Sequence, residues 1–82
     1  MVADINTMFC RTMLGGVHAE VKKHFPDVKL KAAWVYKTGR QDWEFHGPDD
    51  FYWYGEADNA YDARSKGWLS WLRKMGVDEE PS

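Results

Sequence analysis

Apolar residues recur at every fourth position near the start of the chain. Ile5, Phe9, Met13, Val17 and Val21 make one stripe, and Met8 and Leu14 widen it. That period is helical, so a helix is expected over about Asn6 to His24, with Asp4 or Thr7 as N-cap and Glu20, Lys22 and Lys23 mainly on the wet side. Pro26 ends it, because the residue before a proline disfavours helical geometry. Gly15-Gly16 falls mid-helix, where each glycine costs about 0.5–1 kcal/mol relative to alanine. The pair either kinks the helix or lets another element approach its backbone.

The period then drops to two. From Val28 to Lys37 the pattern predicts a strand, with Val28, Leu30, Ala32, Trp34 and Tyr36 on an apolar face. Lys29, Lys31, Ala33, Val35 and Lys37 lie on the wetter one. Thr38-Gly39 signals a tight turn, and Gln41 to His46 forms the return strand. A two-residue turn pairs Trp34 with Trp43 and Ala32 with Phe45 on the core side. It sets Lys31 opposite His46, Ala33 opposite Glu44 and Val35 opposite Asp42 on the other side. Gly47-Pro48-Asp49-Asp50 is a second turn, leading into Phe51-Tyr52-Trp53-Tyr54. A two- or four-residue loop buries Tyr52 and Tyr54 and leaves Phe51 and Trp53 outside. A three-residue loop does the reverse.

After Gly55 the helical period returns. A last helix is expected from about Asp58 to Met75, capped by Asp58 or Asn59. Its stripe is Ala57, Ala60, Tyr61, Trp68, Trp71, Leu72 and Met75. Arg73 and Lys74 suit the negative end of the helix dipole, and Gly76 suits the C′ position. Gly67, beside Trp68, offers close approach to the first helix at Gly15-Gly16. The order is α-β-β-β-α, an α+β fold. Its economical packing is a three-stranded antiparallel meander with two helices on one face. Residues 1–76 read as one domain, and 77–82 as a flexible acidic tail.

Composition sharpens this. Aromatic residues make up 16% of the 82 residues, with five Trp, so a few large side chains dominate burial. The formal net charge is −2, yet the charge is unevenly spread. Residues 18–40 hold six Lys or Arg against two acids, whereas 41–63 hold seven acids and neither Lys nor Arg. Cys10, the lone cysteine, excludes an internal disulfide and reads as a buried thiol. His18 and His24 are six apart, which is not a same-face helical spacing. No cofactor or metal is therefore expected. No nucleophile elbow, phosphate loop or HExxH motif occurs, which points away from an enzyme. No segment approaches a membrane span or a signal peptide, so a cytoplasmic location is expected.

Three candidate sites follow. The open sheet face is expected to carry Lys29, Lys31, Val35, Lys37, Asp42, Glu44, His46 and two of the four strand aromatics, an apolar patch with a polar rim. The acidic segment carries Asp42, Glu44, Asp49, Asp50, Glu56, Asp58 and Asp62, interleaved with Phe51, Tyr52, Trp53 and Tyr54. Arg64 either packs its stem on Tyr61 or Trp68 or anchors a carboxylate or phosphate.

The α-β-β-β-α order and the chain length resemble the double-stranded-RNA-binding domain. That family grips phosphate with a lysine-rich start of its last helix. Here the stretch Gly55-Glu56-Ala57-Asp58-Asn59-Ala60-Tyr61-Asp62 is acidic, which argues against RNA binding in that mode. The segment Phe51 to Leu72, with its YWYGEADNAYDARSKGWLSWL pattern, looks like short uncharacterised proteins of phages and prophages. That resemblance implies an accessory protein that binds and inhibits a host machine, such as a CRISPR effector complex. Several such inhibitors present an acidic surface in place of nucleic acid.

The sequence reading is therefore a non-enzymatic interaction protein. Its partner is a host protein or complex with a basic surface, met by the eleven residues of the acidic and aromatic segment. One alternative is a nucleic-acid module using Lys29, Lys31, Lys37 and Arg40 with exposed aromatics. The other is a homodimer closed over the sheet.

Overall fold

The computed structural model describes residues 5–77. The four-residue apolar period forms α1 (Ile5–His24), an uninterrupted helix with Gly15 and Gly16 in open space. Strands β1 (Trp34–Lys37), β2 (Asp42–His46) and β3 (Tyr52–Glu56) form an antiparallel sheet in that order, and α2 (Ala60–Lys74) closes the fold. Both helices pack on one side of the sheet. α2 meets all three strands, and α1 lies along α2. The helices run in the same direction: Asn6 Nδ2 donates to Asp58 Oδ2 (3.3 Å) at their starts, and Phe25 meets Trp71 edge-on (4.9 Å) near their ends.

The core is Leu14, Val17, Val21, Ala33, Phe45, Trp68, Trp71 and Leu72, with Phe25, Val35, Phe51, Trp53 and Val77 packed around it. Phe45, on β2, is fully buried edge-on to Trp68 (5.3 Å). Gly67 lets α2 settle there, because a Cβ at this position would run into the Phe45 ring. The close approach that Gly67 permits is thus onto the sheet, not onto Gly15-Gly16.

Several expectations are corrected. On α1 the buried line is Cys10, Leu14, Val17 and Val21, while Ile5, Met8, Phe9 and Met13 are exposed. The two lines sit about 100° apart on the helix, and α2 covers only one. Thr7 lies inside α1 and does not cap it; Asp4 falls outside the described residues. The expected strand from Val28 begins only at Trp34. Before it, Leu30–Ala32 form a 3-10 turn held by Ala32 N–H to the Lys29 carbonyl (3.0 Å). Lys22 Nζ ties down the approach by donating to the carbonyls of Pro26 (2.8 Å) and Val28 (3.1 Å). The 3-10 turn breaks the period of two, so Ala33 and Val35 turn inward and Trp34 and Tyr36 outward.

The β1–β2 connection is also longer than expected. Thr38 N–H donates to the Asp42 carbonyl (2.8 Å), which leaves Gly39, Arg40 and Gln41 as a three-residue loop. Trp34 therefore pairs with His46, Val35 with Phe45, Tyr36 with Glu44 and Lys37 with Trp43. An odd shift from the two-residue turn reverses the face of every β1 side chain. At the second connection, Phe51 N–H donates to the Pro48 carbonyl (3.0 Å) around Asp49 and Asp50, both at positive φ (54° and 64°). These are the marks of a type I′ turn. Pro48 has no N–H to return, so Gly47 N–H donates to the Phe51 carbonyl instead (2.9 Å). Gly47 and Pro48 together face Phe51 as a bulge, and three residues separate the last pair. Phe51 and Trp53 point to the core and Tyr52 and Tyr54 away from it, one of the two sequence alternatives.

α2 is fixed at both ends by its own sequence. Asn59 Oδ1 accepts from Asp62 N–H (2.9 Å), and Asp62 Oδ2 accepts from Asp58 N–H (3.0 Å), a reciprocal cap. At the other end Gly76 (φ 89°) donates to the Arg73 carbonyl (3.1 Å) and Val77 to that of Leu72 (2.9 Å), a Schellman motif. Val77 thus belongs to the helix end rather than to a tail; residues 78–82 lie outside those described.

Candidate functional site

The register lays out the uncovered sheet face as a grid. Trp34, His46 and Tyr52 form the row beside the β2–β3 turn. Tyr36, Glu44 and Tyr54 form the middle row, and Asp42 and Glu56 close the grid beside the β1–β2 loop. Trp34, Tyr36, Tyr52 and Tyr54 are 48%, 51%, 50% and 54% exposed, a high value for four large rings on one surface.

Three of these rings, Trp34, Tyr36 and Tyr52, are ordered by ring contacts. The Trp34 indole stacks flat on the His46 imidazole (3.9 Å between centroids, 8° between planes). Tyr52 meets the same imidazole edge-on (5.2 Å), and Tyr36 meets Trp34 edge-on (5.7 Å). His46 Nε2 donates to Glu44 Oε1 (3.0 Å). Tyr52 is held above its ordinary phenol value by loss of solvent around the ring, then by its interaction with the Glu44 carboxylate and by Tyr54. Glu44 therefore sits at the centre of the grid, held by His46 and flanked by Tyr36 and Tyr54 on the neighbouring strands. Asp42 and Glu56 sit directly opposite each other, a like-charge cross-strand pair that destabilises the isolated sheet. No grid position holds lysine or arginine. Such a surface suits a cation: ring faces attract ammonium and guanidinium groups, and carboxylates pair with them.

Of the sequence candidates, Asp42, Glu44, Tyr52, Tyr54 and Glu56 come together here. Phe51 and Trp53 do not. Phe51 meets Phe45 edge-on (6.2 Å), and the Trp53 ring lies where a side chain at Gly55 would be. Asp49 and Asp50 stand on the turn at the aromatic end, far from the Asp42–Glu56 pair. Asp58 and Asp62 belong to the start of α2, where Asp62 also pairs with Lys66 Nζ (3.2 Å). Lys29, Lys31, Val35 and Lys37 are not on this face: the first two precede β1, and Val35 and Lys37 share the side of Phe45 and Trp43. Arg40 is in the β1–β2 loop. Trp34 and Tyr36 fall outside the sequence candidates because one continuous strand over Val28–Lys37 with a two-residue turn puts them on the core face. The overlooked signal is Gly39-Arg40-Gln41, a glycine-containing run of hairpin-loop length.

Among the described residues no helix is long and apolar enough to cross a membrane. No protein-family model, curated protein or solved structure matches the chain.

Proposed function

We propose that this chain is a non-enzymatic binding protein that occupies a basic surface of a host protein machine with its outer sheet face. The supporting observation is the grid itself: four half-exposed rings, a central carboxylate held by His46 and an acidic pair without an ion-pair partner among the described residues, with no lysine or arginine in the grid. Arginine or lysine side chains of the partner lie over Tyr36 and Tyr54 beside Glu44, and further basic residues answer Asp42 and Glu56. The resemblance of Phe51–Leu72 to phage and prophage proteins supplies the class of target, a host defence complex such as a CRISPR effector. Nucleic acid fits this face less well, because phosphates would meet three carboxylates and the nominated lysines lie elsewhere.

The test is affinity capture from host lysate by the tagged wild type, a Tyr36→Ser/Tyr54→Ser variant, a Glu44→Lys/Glu56→Lys variant and a control, Asp27→Lys. The reading expects one complex at near-stoichiometric yield with the wild type and control, lost with both face variants. Equal retention by all four proteins would overturn it. Recovery of nuclease-sensitive material would favour the nucleic-acid reading, and recovery of the chain's own untagged copy a homodimer.

A further inference from the structure

A concavity lies on the helix side of the sheet, between α1, the 3-10 turn and α2. It has a volume of about 370 Å³ and is lined by His18, Leu30, Lys31, Ala33, Arg64 and Trp68, within the roughly 300–1,000 Å³ usual for small-ligand sites. Its composition is one-sided. His18 comes from α1, Lys31 from the 3-10 turn and Arg64 from α2, and no carboxylate lines it. Leu30, Ala33 and the Trp68 ring supply an apolar wall, with His18 edge-on to Trp68 (6.4 Å).

Neither Lys31 nor Arg64 has an ion pair or side-chain hydrogen bond among the described residues, so both are available to a ligand. Three elements thus bring like-charged or chargeable groups to one cavity with nothing negative between them. Such convergence costs free energy in the empty site and is relieved by an anion. The half-buried Arg64 guanidinium has the planar fork that grips an oxyanion through two parallel hydrogen bonds.

We propose that this cavity binds a compact oxyanion, carboxylate or phosphate, held by Arg64 and Lys31 and by His18 once protonated, with any apolar part of the ligand against Leu30 and Trp68. The site is separate from the outer sheet face and stands whether or not that face binds a basic partner. His18 adds a reporter. Burial first, and Arg64 second, hold its imidazole below the ordinary value of 6.5. The other charged group facing it is Lys31, from the 3-10 turn. A bound anion supplies the missing negative charge, so His18 takes up its proton at a higher pH when the site is filled.

The experiment is a nuclear magnetic resonance titration of the whole chain at constant ionic strength, with inorganic phosphate in one arm and benzoate in the other. The expected result is saturable shifts confined to His18, Lys31, Arg64 and the Trp68 indole in at least one arm, with the His18 titration displaced upward. Saturation with phosphate alone assigns a phosphate ligand, and with benzoate alone a carboxylate with an apolar body. Affinity falls about tenfold in Arg64→Gln, as for one lost charge-assisted contact. It also falls in Lys31→Gln, an exposed position that leaves the fold intact, and is unchanged in Lys23→Gln on the wet side of α1. Shifts that fail to saturate in either arm, or equal affinity in Lys31→Gln and Lys23→Gln, would overturn the proposal.

Discussion

A methyl group has opposite effects at three helical glycines. At Gly67 it would collide with Phe45, the fully buried residue of β2, so Gly67→Ala is expected to destabilise by about 1–3 kcal/mol through overpacking. At Gly15 and Gly16 nothing lies within 4 Å, and alanine should stabilise by about 0.5–1 kcal/mol at each. Urea denaturation of the three single variants checks both signs. A stabilised Gly67→Ala would mean that α2 does not sit on Phe45. Ser65 is a fourth case. Its hydroxyl is buried with no hydrogen-bond partner among the described residues. Ser65→Ala removes an unsatisfied donor and should raise stability by about 1 kcal/mol; a loss in the same assay would mean that the hydroxyl has found a partner.

Elements are joined here by turns whose chemistry differs in quality. The turn at Asp49-Asp50 places two ordinary residues at positive φ, where glycine is favoured at the second position. Asp50→Gly is expected to raise the thermal midpoint by an amount corresponding to about 1 kcal/mol. The β2–β3 register should persist, read as unchanged cross-strand contacts between His46 and Tyr52. Retention of two strained aspartates on an exposed tip has no packing account in this fold. The ends of α2, by contrast, obey local rules throughout, from the Asn59 cap to the Gly76 reversal.

At the scale of the whole molecule the sheet has a covered face that folds the protein and an uncovered face that folding does not need. Tyr36→Ser/Tyr54→Ser should therefore cost no more than about 1 kcal/mol, the value of exposed cross-strand pairs. A loss several times larger would place those rings in the core. The helix side carries the pH dependence. His18 is harder to protonate in the folded chain than in the unfolded one. The unfolded state thus binds the extra proton first, and the contribution is whole above the ordinary value of 6.5 and lost as pH falls below it. The denaturation midpoint of the wild type should fall between about pH 7.5 and about pH 5.5 by more than that of His18→Gln; parallel curves would remove His18 from the account.

Local chemistry is legible wherever a few neighbouring residues suffice. Element order, a cap at Asp58 or Asn59, the Gly76 reversal, the inward Trp43 and Phe45, and the outward Asp42, Glu44 and His46 all follow from periods and turn residues along the chain. What escapes is everything that depends on counting across a loop or choosing a partner. One loop residue decides whether Trp34 and Tyr36 face the core or solvent, because side chains alternate strictly along a strand. Two apolar lines on α1 have equally good helical spacing, and only the shape of α2 selects Cys10–Leu14–Val17–Val21. Hence the acids and tyrosines of β2 and β3 could be nominated from sequence alone. Their assembly with Trp34 and Tyr36 into one surface was decided by strand register, and the meeting of His18, Lys31 and Arg64 by packing between elements far apart in the chain.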